Sequence, residues 1–160
     1  MSKQKIDLSI GFLLSHTNLA LLRQINRNFN SAGFDITIEQ MSLLMYLFYE
    51  DGKTQKELSE KNIKGKVSIT KIVDNLVKRE LVKRVSDKKD RRVKRIYITE
   101  KGKKIVPALK KIILDTNKMA FKGIKKEEIK IFIKILSDVN KKLTNIDLLK
   151  FIETNNERWK

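Results

Sequence analysis

The chain of 160 residues sets 36 basic against 19 acidic side chains, a formal charge of +17, and its 41% hydrophobic content can fill one core plus an extra dimerising layer, which excludes a disordered chain. A single proline, six glycines and abundant Leu, Ile, Lys and Glu favour helix over a sandwich or barrel, while the charge implies an anionic partner, nucleic acid or an anionic membrane surface. Without cysteine there is no disulfide frame, thiolate nucleophile, thiol-oxidation sensor or cysteine zinc site, and one histidine with no Gly-rich phosphate loop and no spaced metal ligands leaves no constellation for an enzyme, a metal or a cofactor.

The start, MSKQKIDLSIGFLLSH, lacks the apolar core and small-residue cleavage site of an export signal, and no run approaches the roughly 18 apolar residues that a span needs, so a soluble cytoplasmic protein is expected. Ile10, Leu13, Leu14, Leu21, Ile25 and Phe29 form one stripe of a long helix ending near Gly33. A second helix opens with Thr37 and Gln40 in capping-box spacing, turns Ile38, Met41, Leu44, Met45 and Phe48 to one face and stops at Gly52. Thr54 and Glu57 repeat that signature and start a short helix, Thr54 to about Lys61, with Leu58 its large apolar anchor.

After a break around Gly65, a helix from Lys66 to about Glu80 turns Ile69, Ile72, Val73 and Leu76 inward and leaves Lys66, Ser68, Thr70, Lys71, Asn75 and Lys78 outside. The period then changes: Leu81–Ser86 and Val93–Thr99 read as two strands joined by a charged tip, Asp87 to Arg92. Thr99 caps a helix running through Ile105, Leu109, Ile112 and Ile113 to about Phe121, with a bend expected at Pro107. Ile129, Phe132, Leu136, Val139, Leu143 and Ile146 follow in a 3,4,3,4,3 spacing suited to a helix–helix seam, and the tail from Thr154 carries no clear signal. The expected fold class is therefore mostly α with a small β-hairpin wing (α+β). A DNA-binding domain over 37–99 is flanked by dimerisation helices over 6–33 and 100–146, and 147–160 form a C-terminal tail.

Helix, short helix, tight break, helix and basic hairpin is the order of a winged helix-turn-helix. In that arrangement Lys66, Ser68, Thr70, Lys71 and Asn75 meet bases and phosphates in a major groove about 12 Å wide. Thr54 and Gln55 meet a phosphate. The wing, with Lys88, Lys89, Asp90, Arg91, Arg92 and Lys94, lies along the minor groove, where Arg92, or else Arg91, suits a narrow A·T-rich stretch and Asp90 orients an arginine. Lys83 to Arg95 holds eight basic residues against Asp87 and Asp90.

Residues 37–102 resemble the MarR family of bacterial regulators: LSEKNIKGKVSITKIVDNLVKRELVKR is similar to its bracing and recognition helices, SDKKDRRVKRIYIT to its wing with an Asp-x-Arg signature at Asp90 and Arg92, and TEKGKK to its post-wing helix start. The family often has glycine where this chain has Ile63 and Glu80, and Gly65 stands slightly late. The resemblance implies a homodimer on a pseudo-palindromic operator, usually repressing transcription and often released by a small aromatic or anionic effector. His16, near the expected dimer region, is a candidate interface or effector contact. The rival readings are an activator, a non-specific architectural protein and a membrane-surface module. The last would place its basic residues along an amphipathic helix, whereas the densest cluster here lies on a hairpin. An RNA-binding module would want exposed aromatics for stacking, and the proposed face offers at most Tyr97.

Overall fold

The computed structural model describes residues 3–61, 69–87 and 89–154. They fall into two compact units that divide between Ala120 and Phe121. The first holds α1 (Lys3–Ser31), α2 (Ile38–Tyr49), β1 (Lys53–Thr54), α3 (Gln55–Lys61), α4 (Ile69–Lys78), β2 (Val82–Ser86), β3 (Lys94–Ile98) and α5 (Glu100–Ala120); the second holds α6 (Lys126–Thr144) and α7 (Leu148–Thr154).

The ends of the helices are set by local chemistry. Gly33 takes a left-handed conformation (φ 83°), so that the Phe34 N–H donates to the Phe29 carbonyl at 2.9 Å and the Gly33 N–H to that of Asn30 at 3.0 Å. These paired bonds close α1 as expected. Thr37 caps α2 through the reciprocal box with Gln40, and the Ile38 N–H is taken by Asn26 Oδ1 at 2.9 Å, which fixes the turn from α1. Glu80, standing where the resemblance led us to look for glycine, adopts the glycine conformation itself at φ 60°. The Leu81 N–H donates to the Leu76 carbonyl and the Glu80 N–H to that of Val77, both at 2.9 Å, so α4 ends by the same motif without the residue that makes it cheap.

The core of this unit is built around α2, whose Met41, Leu44 and Leu47 are wholly buried and which touches α1, α4, α5 and β3. α1 contributes Ile25 and Phe29, α4 Val73 and Leu76, and α5 Val106 and Leu109. One polar couple lies at the contact of α1 and α5: Asn28 Nδ2 donates to Thr116 Oγ1 at 2.8 Å, and the buried hydroxyl donates in turn to the Ile112 carbonyl at 2.7 Å. α5 continues through Pro107 as one helix. The proline is exposed, so solvent can take the carbonyl that its missing N–H leaves.

The sheet has the order β1-β3-β2, all antiparallel. The hairpin register pairs Val82 with Ile98 and Ser86 with Lys94, and Lys53 and Thr54 add a short third strand opposite Ile96 and Arg95. That third strand is absent from the sequence reading, because two residues are too few to show a period.

The C-terminal unit differs from expectation at its end. α6 stops at Asn145, which takes the left-handed conformation (φ 59°), so Ile146 lies beyond the helix that the seam was to occupy. The Ile146 carbonyl accepts from Asn140 Nδ2 at 3.0 Å. The region read as a tail contains α7, started by Asp147, whose Oδ1 takes the Lys150 N–H at 3.1 Å, and held to α6 where the Leu149 N–H donates to the buried Ser137 hydroxyl at 3.3 Å. An aspartate before Leu148 and Leu149 is an ordinary helix start and could have been read.

Candidate nucleic-acid interface

The amphipathic split of α4 is realised as read: Ile69, Ile72, Val73 and Leu76 are buried while Thr70, Lys71, Asn75 and Lys78 are exposed. α3 braces it. Leu58 buries its side chain in the shared core, and Gln55 Nε2 reaches Thr70 Oγ1 at 3.3 Å, so the two helices are linked on their outer side as well. At the entrance of α3, the Thr54 hydroxyl donates to Glu57 Oε2 at 2.8 Å and accepts from the Glu57 N–H at 3.2 Å, while the Thr54 N–H reaches the same carboxylate at 2.7 Å. The bonds from the Thr54 backbone and side chain hold the Glu57 carboxyl below its usual range. The hydroxyl proton of Thr54 is thus committed inside the cap, and Gln55 is the polar side chain of this pair that faces outward.

The wing is ordered from within by Asp87. Its Oδ1 accepts the N–H groups of Lys89 (2.8 Å) and Asp90 (3.2 Å), and its Oδ2 accepts from Arg95 Nε. The arginine, then those two backbone donors, pull the Asp87 carboxyl down to about 2. Asp90 acts on the main chain: its Oδ1 takes the N–H of Arg92 at 2.9 Å, and its carbonyl takes the N–H of Val93 at 3.0 Å. The arginine gripped through its guanidinium is therefore Arg95, on Asp87, whereas the Asp-x-Arg signature fixes the backbone turn that carries Arg92. Lys89, Asp90, Arg91 and Arg92 are exposed at the tip. Lys94 is turned across the hairpin, its Nζ 2.6 Å from Ser86 Oγ.

A second ion pair joins the hairpin to α4: Arg84 on β2 meets Asp74 at 2.5 Å. At the root of the hairpin the Leu81 carbonyl accepts from the Thr99 N–H (3.0 Å), the Thr99 hydroxyl donates to the Glu80 carbonyl (2.6 Å), and that hydroxyl receives the Gly102 N–H at 3.1 Å to cap α5. Thr70, Lys71 and Asn75 are thus carried on the exposed face of a helix tied to the base of an exposed cationic hairpin. Lys66, Ser68 and Lys88, with Ile63 and Gly65, lie outside the described residues. Asp74, Arg84, Asp87 and Arg95 were missed as individuals: the two arginines entered only the charge count, because cross-strand and helix–strand partners are set by register and docking, not by spacing along the chain.

His16 lies on an exposed stretch of α1, its ring stacked on Phe12 at 3.9 Å between centroids. Ile10, Phe12, Leu13, Leu14 and Leu19 are exposed on the same helix, and in the separate C-terminal unit most of the predicted seam is too, with Leu143 79% exposed. Among the described residues no cluster of three or more His, Asp or Glu is placed to hold a metal, and no helix is long and apolar enough to cross a membrane.

Residues 29–109 match the family model described as transcriptional regulator SarA/Rot. The chain is 32% identical over 117 residues to YsmB of Bacillus subtilis (strain 168), an uncharacterised HTH-type transcriptional regulator, covering 73% of this chain and 80% of that one. Among solved structures it is similar to a MarR transcriptional regulator from Methanosarcina mazei Go1 at 26% identity and a TM-score of 0.73, covering 88% and 98% of the two chains. The transcriptional repressor CouR, bound to a 23-mer DNA duplex, shares the fold at 18% identity and a TM-score of 0.73, covering 87% and 97%.

Proposed function

Since this chain belongs to the MarR family of winged helix-turn-helix transcriptional regulators and binds DNA rather than catalysing a reaction, we propose that it acts as a cytoplasmic homodimeric repressor on a pseudo-palindromic operator. In this reading Thr70, Lys71 and Asn75, with Lys66 and Ser68 before them, enter the major groove; Gln55, with Thr54 holding the turn, faces a phosphate. Lys88, Lys89, Arg91, Arg92 and Lys94 accompany the minor groove, with Arg92 the side chain inserted there. The observation that carries this is the exposed polar face of α4, braced by α3 and linked through Asp74 and Arg84 to a hairpin whose tip is cationic.

The homodimer rests on apolar faces that a single subunit leaves uncovered on α1 and, separately, on α6; water-exposed stripes of this kind mark contact surfaces. Pairing through them holds two recognition helices about 34–36 Å apart, one helical turn of DNA. His16, exposed on α1 among these apolar residues, belongs to that contact in this reading. Release by a small aromatic or anionic effector belongs to the same reading, since a ligand that alters the spacing alters operator affinity.

Selection of genomic fragments by the purified protein at rising salt tests this. A short inverted repeat retained at higher salt is the expected result, with Lys66→Ala/Lys71→Ala weakening its binding and leaving the fold intact. The charge of +17 favours a second reading, non-specific coating of anionic surfaces. Uniform binding that vanishes with salt would establish that reading in place of the first.

A further inference from the structure

We propose that Asp87 and Arg95 are positioning residues for DNA binding: together they tie the tip of the wing to the entrance of the helix-turn-helix at Gly52 and so fix where Arg91 and Arg92 stand. The inference rests on the wing reading given above. It assigns a role to an acid and an arginine that direct contact with DNA does not require.

The tie is a continuous chain of bonds. The tip amides of Lys89 and Asp90 donate to Asp87 Oδ1, Asp87 Oδ2 accepts Arg95 Nε, and Arg95 Nη1 donates to the Gly52 carbonyl at 2.9 Å. Gly52 is itself immobilised. Its N–H donates to the Ile96 carbonyl at 3.1 Å and to Asp51 Oδ1 at 3.0 Å, the same carboxylate oxygen takes the Ile98 N–H at 2.9 Å, and the Tyr97 ring packs 2.9 Å from where a Cβ at position 52 would stand. The Asp87 side chain is only 15% exposed, so the pair is shielded on the acid's side and is not a loosely solvated contact. A seven-residue connection between strands, 87–93, is otherwise free to rock about its root. Here the connection is anchored to a third strand that leads directly into α3.

Arginine is needed for this and lysine does not suffice, because two nitrogens of one planar group serve two acceptors in different directions. The guanidinium is consumed inside the protein, which separates Arg95 from Arg91 and Arg92 although all three lie in the same basic run.

The charges supply the test. Asp87→Asn removes a negative charge from a surface that approaches a polyanion, so attraction alone makes DNA bind more tightly. The tie requires the opposite. Operator and scrambled duplexes are titrated by fluorescence anisotropy at several salt concentrations with the parent protein, D87N, R95K, R92A and D87N/R92A. D87N and R95K should each weaken operator binding about tenfold, the scale of one lost charge-assisted hydrogen bond. Neither should weaken binding to the scrambled duplex, and R92A should cost less in the D87N background than alone. Operator binding by D87N as tight as the parent's or tighter, parental binding by R95K, or additive effects of D87N and R92A would overturn the proposal. Should D87N unfold, R95K carries the test, since it keeps the charge and the acid. If R92A alone leaves operator binding unchanged, the wing reading falls and this inference with it; if R92A weakens binding while D87N does not, only the tie is lost.

Discussion

Replacing Gly102 by alanine sets two effects against each other at the junction of wing and α5. Alanine is the better helix former by about 1 kcal/mol, so local propensity alone has the variant more stable. A Cβ at this position, however, would stand 2.3 Å from the Leu81 carbonyl oxygen and 2.8 Å from Ile98 Cγ1. Carbon and oxygen do not approach closer than about 3.3 Å, so the first turn of α5 has to withdraw by about 1 Å. That oxygen holds the Thr99 N–H, the Thr99 hydroxyl having its shorter bond to the Glu80 carbonyl, so withdrawal stretches one hydrogen bond at about 1 kcal/mol, on top of about 1–3 kcal/mol for overpacking. The net expectation is a loss of about 1–3 kcal/mol. In urea unfolding followed by far-UV circular dichroism the midpoint should fall by about 1 M with an unchanged slope. A midpoint equal to the parent's or higher would refute the close-approach argument and leave helix propensity as the governing effect.

Glu80→Gly should act in the other direction. Relief of a left-handed non-glycine residue contributes about 1–2 kcal/mol, the added freedom of the unfolded chain takes back about 0.5–1, and the exposed pair with Lys101 contributes little, so the midpoint should rise by the equivalent of about 0.5–1 kcal/mol. A fall would mean that the ion pair outweighs the strain. Thr116→Val removes the acceptor of Asn28 Nδ2 and should cost about 1–3 kcal/mol, while adding Asn28→Leu should recover part of that loss; strictly additive unfolding energies for the two changes would contradict the coupling of these side chains.

Where the chain repeats itself at helical period, or shows alternate β-branched residues before a charged tip, the folded structure follows the sequence within a residue or two. Ile69, Ile72, Val73 and Leu76 announce their burial because nothing but a helix brings them to one side, and Thr37 with Gln40 mark a start because both halves of the cap lie within four residues. The wing tip was legible as charge and illegible as geometry. Asp87 and Arg95 lie eight residues apart, and only the antiparallel register turns that separation into contact. Lys53 and Thr54 gave no strand signal because their partner, β3, lies some forty residues on. The seam from Ile129 to Ile146 was over-extended for a different reason: the hydrophobic spacing continues past Asn145, whose left-handed backbone ends α6 whatever the side chains beyond it would prefer.

The pairing of Lys53 and Thr54 with Ile96 and Arg95 bears also on how the protein folds. The β2–β3 hairpin can form from its own neighbourhood, but joining β1 closes a loop of about 40 residues that holds α3, α4 and the wing. Bringing such ends together costs about 3 kcal/mol in chain entropy, which two residues of strand cannot offset without the apolar docking behind them. β1 is therefore the last strand to register. When it opens, the whole segment proposed to read DNA loosens as one cooperative unit. In native-state hydrogen exchange its amides should share a single opening free energy, set by the clasp at Gly52 to Thr54 rather than by the helices individually.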